Sequence, residues 1–223
     1  MIRINFPRNS QNNVNIVKNM DANQRKTLQM ALSGHNILIT GLPGSGKRYL
    51  IAEIAKELIL LGKKVGITAS TGVASANLKQ HLPVSEHVYT IHKFMGIRDG
   101  RYDNEEILNL LQSNEHMKKS CEEIKETDCL IIDEISMISR KTLNQVEFLL
   151  RKLKNPTTTF GGTQIILCRD FLQLPCIPNP HYNDDRKHCF HFEHIKNFHH
   201  IQLHNIHRQD EPDLIGVVHD IAK

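Results

Sequence analysis

Nowhere among the 223 residues do about 18 apolar side chains run together, the length that a membrane-spanning helix requires. The opening stretch "MIRINFPRNSQNNVNIVKNM" has no apolar segment of the signal-peptide kind. Asn-rich and Arg-poor, it also departs from an organellar transit peptide, so secretion is not expected. Cysteine is sparse: Cys121, Cys129, Cys168, Cys176 and Cys189 are odd in number and form no C-x-x-C pair. That argues against a disulfide framework and suits a reducing, intracellular setting. Tryptophan is absent and aromatics reach only 5%. Charge of one sign is scarce as well, the net of +4 permitting a polyanionic partner without demanding one. No internal repeat and no low-complexity tract interrupts the chain.

What is present describes one domain. A hydrophobic fraction of 39% over this length is enough for a buried core. From Asp21 onward, short β-rich runs alternate with helical periodicity. "DANQRKTLQMALS" reads as a helix capped by Asp21 and stopped at Gly34. "NILIT" (36–40) is a buried strand, and "KRYLIAEIAKELILLG" is a helix with one apolar face. "KVGITA" (64–69) is a second strand with a helix after it. A polar helical region covers 104–126, and "CLIID" (129–133) is a third strand. An amphipathic helix spans 140–154, "TQIILC" (163–168) is a fourth strand, and "HIQL" (200–203) a fifth. Strands apolar on both faces and separated by helices predict a parallel α/β sheet covered on both sides. Residues 1–19 form a lead segment, and 20–223 the domain. The stretch 176–198 is an irregular excursion rich in Pro, His and Asp. Nine of the fourteen histidines lie from His181 to His219; their spacing matches no zinc pattern, and solvated or locally hydrogen-bonded imidazoles are the reading preferred.

"GLPGSGKR" (41–48) carries the chemistry. A strand delivers the chain into Gly41 and a helix opens near Lys47. Backbone N–H groups at Gly41, Gly44, Ser45 and Gly46 can therefore converge on phosphate oxygens at a helix N-terminus. Lys47 reaches the β- and γ-phosphates as a point charge. The dinucleotide fingerprint is excluded, because its third glycine position is Tyr49. A second element is "CLIIDEIS", which places Asp133 and Glu134 at the carboxyl end of a buried strand, where open parallel sheets bind ligands. Asp133 is positioned to hold Mg²⁺ through water, and Glu134 to polarise an attacking water.

"NMDANQRKTLQMAL", "GLPGSGK", "GITASTGVASANL", "TIHKFMGI", "LIIDEISMIS", "FGGTQIILCRDFLQLP" and "IQLHNIHRQDEPDLI" occur in one order. That order and spacing resemble the first RecA-like domain of the Pif-one family of superfamily-one DNA helicases, relatives of RecD. The resemblance covers nearly all of 20–220. It implies a P-loop NTPase fold, ATP and Mg²⁺ as cofactors, and coupling of ATP hydrolysis to DNA unwinding. It implies single-stranded DNA or DNA junctions as partner; no membrane is expected, and the oligomeric state is left open, with a monomer favoured. A nucleus or mitochondrion would house it in a eukaryote, the cytoplasm or a virus otherwise. Gln24 is similar to the adenine-reading glutamine, Gln173 to the γ-phosphate sensor, and Arg208 to the arginine that stabilises charge on the transferring phosphoryl group. "TASTGVASAN" and "TIHKF" resemble the segments lining the DNA track, with Thr71 on phosphate and His92 or Phe94 stacked on a base. Phe94 fits a core position equally well.

Two positions depart from the family pattern. Arg48 stands where a Ser or Thr hydroxyl would bind Mg²⁺, and Arg169 replaces the glycine before Asp170. A guanidinium about 5 Å from Mg²⁺ repels it by about 2 to 7 kcal/mol for dielectric constants of about 80 to 20. Arg48 must therefore turn away, replace the metal as phosphate counter-charge, or slow hydrolysis. The resemblance also ends before a second RecA-like domain, so one motor domain, not a complete motor, is expected. The alternative is a degenerate, non-hydrolysing nucleotide- or single-strand-binding module. A general P-loop ATPase unrelated to DNA fits "TASTG" and "DFLQLP" poorly.

Overall fold

The computed structural model of the chain describes residues 20–82, 87–98, 100–170, 184 and 187–205. Six strands form one sheet: β1 (Ile37–Gly41), β2 (Val65–Ala69), β3 (Val88–Thr90), β4 (Cys129–Asp133), β5 (Gln164–Asp170) and β6 (His199–Leu203). Their spatial order is β3-β2-β4-β5-β1-β6. Every neighbouring pair runs parallel. The carboxyl ends Gly41, Ala69, Thr90, Asp133, Asp170 and Leu203 therefore share one rim. The chain leaves β1 and re-enters the sheet three places away at β2. That reversal opens a crevice above the strand ends, the usual ligand position in such sheets.

The strands alternate their side chains between two cores, as a period of two residues requires. Along β4, Leu130 and Ile132 join Leu38, Ile165 and Leu167 on one face. Cys129 and Ile131 join Ile37, Ile39, Ile67 and Ile166 on the other. The second face is covered by α1 (Ala22–Leu32), α2 (Lys47–Leu60) and α3 (Gly72–Lys79), the first by α4 (Ile91–Phe94), α5 (Asn104–Ser113), α6 (Lys118–Glu126) and α7 (Arg140–Leu153). Local chemistry sets the helix starts. Asp21 and Gln24 make a reciprocal capping box for α1, as do Asp103 and Glu106 for α5. Each satisfies two backbone donors that a helix start leaves open.

The helical region 104–126 is present, as two helices, because Asn114 is extended and its side chain accepts from His116 N, opening a short 3₁₀ turn. Two expectations need correction. A sixth strand, β3, lies at the sheet edge with three half-buried residues; too short for a periodic signal, it escapes sequence reading. The fourth strand runs two residues further, to Asp170.

The irregular excursion is partly described. His188 bridges Ser139 in antiparallel fashion, and the Cys189 thiol donates to the Ile135 carbonyl at 3.3 Å. Arg169 lies over the Phe190 ring, 4.3 Å from its centroid, and His188 stacks on the same ring. The arginine that replaces a family glycine thus pins this segment over β5. Among the described residues, no three His, Cys, Asp or Glu side chains are grouped for a metal, and no helix is long and apolar enough to cross a membrane.

Candidate nucleotide site

β1 ends at Gly41 and the chain turns through residues 42–46 into α2. Gly44 and Gly46 adopt φ of 81° and 77°, left-handed values that side-chain-bearing residues rarely tolerate. They bend the backbone into a cradle. A Cβ at Gly41 would stand 2.6 Å from Ser45 Oγ and 2.9 Å from the Leu203 carbonyl, so only glycine lets the loop pack this closely on β6. Ser45 is fully buried, and its hydroxyl makes no hydrogen bond to the described residues. A buried hydroxyl without a partner costs about 1 to 3 kcal/mol, which is tolerable where a ligand completes it.

Lys47 folds back over the loop. Its Nζ donates to the carbonyls of Gly41 at 2.9 Å and Leu42 at 2.8 Å. Phosphate oxygens are the natural competitors for those N–H groups. Gln24 meets the loop from α1: its Nε2 approaches the Ser45 carbonyl at 3.4 Å, and its Oε1 accepts from Asp21 N. Its amide is buried and engaged at both ends, so the glutamine expected to read adenine also caps the helix and braces the loop. Asn205 Nδ2 donates to Asp21 Oδ2 at 3.1 Å, tying the α1 start to the end of β6.

The acids stand across the crevice. Asp133 ends β4, and its Oδ1 accepts from Glu134 N at 2.9 Å. Glu134 takes φ 56° and ψ 45°. A left-handed non-glycine residue stores about 1 to 3 kcal/mol of strain, a cost that clusters at functional sites. The bend breaks the chain off the strand into a 3₁₀ turn (Ile135–Met137). Ser70 N donates to the Asp133 carbonyl at 3.1 Å, so the exit from β2 is bound to the same corner.

Arg48 decides how the two halves relate. It does not turn away from the site. Its Nη2 donates to Glu134 Oε1, and its Nε stands 3.5 Å from Asp133 Oδ2. The Asp133 side chain is only 4% exposed, against 29% for Arg48. Burial raises the Asp133 pKa; the Arg48 charge opposes that and Glu134 adds to it. Burial works against the Arg48 charge, but both acids outweigh it and raise its pKa above its ordinary value. In this arrangement the acid pair is occupied by a guanidinium, and position 48 offers no hydroxyl. Ser45 Oγ packs against Gly41. As they stand the acids face a guanidinium where a divalent ion would need open ligands, although Asp133 Oδ2, 3.5 Å from Arg48 Nε, is buried without a hydrogen-bond partner among the described residues.

The DNA-facing expectations divide. Thr71 caps α3 at the rim, its Oγ1 accepting from Ala74 N at 3.1 Å. His92 lies on α4, just past the rim end of β3, half-buried, and burial lowers its pKa so the neutral ring is favoured. Phe94 is 6% exposed and belongs to the core. A Cβ at Gly66 would touch its ring at 2.8 Å, so base stacking by Phe94 is overturned. Val73, in the same "TASTGVASAN" stretch, is 74% exposed, an apolar side chain at the α3 start that periodicity alone would not single out. Gln173 and Arg208 lie outside the described residues.

A family model described as PIF1-like helicase matches residues 19–215. The chain belongs to that family. It is 35% identical over 164 residues to the ATP-dependent DNA helicase PIF5 of Trypanosoma brucei brucei, covering 73% of this chain and 16% of that protein. A crystal structure of Pif1 helicase from Candida albicans superposes with a TM-score of 0.79 at 30% identity, over 92% of this chain and 44% of that one. A Bacteroides Pif1 helicase in complex with ADP-AlF3 and ssDNA superposes at 0.74 and 26% identity, over 91% and 46% respectively. The PIF1-like chain therefore spans about a sixth of the Trypanosoma relative and under half of each solved helicase chain. The fold is that of the P-loop NTPases, as the motif order implied.

Proposed function

We propose that this chain is a nucleotide-binding motor domain of an ATP-dependent DNA helicase. The observation that carries the reading is one rim holding both the glycine-bent loop with Lys47 and the Asp133–Glu134 corner. The Trypanosoma relative is an ATP-dependent DNA helicase, and the Bacteroides Pif1 was solved with ADP-AlF3 and ssDNA; both support it. On this reading the loop N–H groups and Lys47 take the phosphates, Lys47 exchanging its carbonyl partners for phosphate oxygens. Gln24 sits against the loop where a base would be read. Glu134 is the general base for water, its Oε1 held by Arg48 and its other carboxylate oxygen serving the water. Gln173 and Arg208 keep the roles that the resemblance gives them, γ-phosphate sensing and charge stabilisation. Single-stranded DNA is the proposed partner, passing over Thr71 and His92 on the carboxyl rim.

Phosphate release driven by oligothymidylate tests the reading. DNA should stimulate turnover, and more salt should weaken the stimulation because phosphate contacts release counterions. Glu134→Gln should lower turnover by about 10² to 10⁴, the usual worth of a general base, while nucleotide still binds. Turnover insensitive to both DNA and Glu134→Gln would overturn it.

A further inference from the structure

We propose that Arg48 is a built-in counter-ion that takes the place of a divalent metal, so that this chain binds nucleoside triphosphate without Mg²⁺. The inference rests on the nucleotide-binding reading above and adds to it a cation requirement that differs from that of an ordinary phosphate loop.

Arg48 follows the phosphate-binding Lys47 directly and is the second residue of α2. An ordinary loop carries there a short hydroxyl side chain that ligates Mg²⁺. Here the side chain spans the crevice instead, joining the loop to both acids. Its Nη2 is bonded to Glu134, and its Nε faces Asp133. Arg48 therefore occupies the ground between the phosphate loop and the carboxylates, which a bridging metal would otherwise hold.

Charge points the same way. The two carboxylates and one guanidinium sum to a single negative charge. A divalent ion added beside them would face a fixed cation at short range, in a corner where Asp133 is almost wholly buried. Arginine carries five N–H donors in a planar fork suited to phosphate oxygens. The acids engage its Nε and Nη2, so donors remain on the same group for a ligand. Its 29% exposure leaves it reachable from the crevice. Arginine is also permanently charged, so it supplies the counter-charge whatever the metal concentration.

The experiment is calorimetric titration of the full chain with the ATP analogue AMPPNP, in EDTA and in excess Mg²⁺. The wild-type affinity should agree between the two conditions within about twofold, a free-energy difference too small to reflect a lost ligand. Arg48→Thr restores the hydroxyl and frees the acids, and its affinity should become about tenfold or more tighter in Mg²⁺ than in EDTA. Arg48→Lys keeps the charge and should remain indifferent to chelation. Wild-type binding that weakens about tenfold or more in EDTA overturns the counter-ion role and leaves the nucleotide-binding reading standing. Binding absent in both conditions overturns both. The wild-type pair of titrations decides the matter alone if Arg48→Thr does not fold.

Discussion

Removing Arg48 should destabilise the fold through Asp133, and a double-mutant cycle can isolate that effect. At the observed 3.5 Å, two unit charges attract by about 1 kcal/mol at a dielectric constant of about 80 and about 5 kcal/mol at about 20. The burial of Asp133 argues for the upper figure, while the partial exposure of Arg48 screens the pair toward the lower. We expect a coupling of about 1 to 3 kcal/mol. Arg48→Ala alone should cost about that much, because it strands a buried carboxylate. In an Asp133→Asn background the same change should cost less, since only Glu134, 13% exposed, is left to strand. Tryptophan is absent, so urea unfolding is best followed by far-ultraviolet circular dichroism, with an unchanged slope confirming comparable unfolding. An Arg48→Ala cost that is equal in both backgrounds would refute the ion-pair account.

Two further outcomes follow from the same geometry. Asp133 has its pKa raised above the ordinary 3.8, chiefly by burial; a raised acid stabilises the fold below its unfolded pKa and loses that contribution as pH rises through the folded value. Asp133→Asn should therefore gain stability over wild type most at neutral pH and least near pH 3.8, and urea midpoints along a pH series check this. Phe94→Ala should cost about 3 to 5 kcal/mol while leaving affinity for oligothymidylate, measured by anisotropy, little changed; an unaltered midpoint with lost DNA binding would restore the stacking role.

Much of this molecule was legible because its signals are local. Five of the six strands are apolar runs bounded by polar residues, and Asp21 with Gln24 announces a helix start within four residues. The phosphate loop and the acids after β4 were readable for the same reason, since each is a contiguous string. What escaped depends on partners distant in the chain. Arg48 meets Glu134 across 86 positions, and nothing in "GKRYL" says which way a long side chain will swing. Phe94 is core because Gly66 leaves room for its ring, a fact no spacing encodes. β3 takes its conformation from pairing with β2 and has too few residues to declare itself. The left-handed Glu134 was also hidden, because tertiary contacts impose that strain against its local preference.

The central claim is that the loop at residues 41–48 binds nucleotide phosphates through Lys47. Calorimetric titration of AMPPNP against wild type and Lys47→Ala tests it most directly, with circular dichroism confirming that both are folded. A charge-assisted hydrogen bond is worth about 1.5 to 3 kcal/mol, so the account predicts affinity about 10- to 100-fold weaker in the variant. Saturable binding in wild type with that loss in Lys47→Ala is the expected result. Equal affinity in the two proteins, or no binding in either, would contradict it.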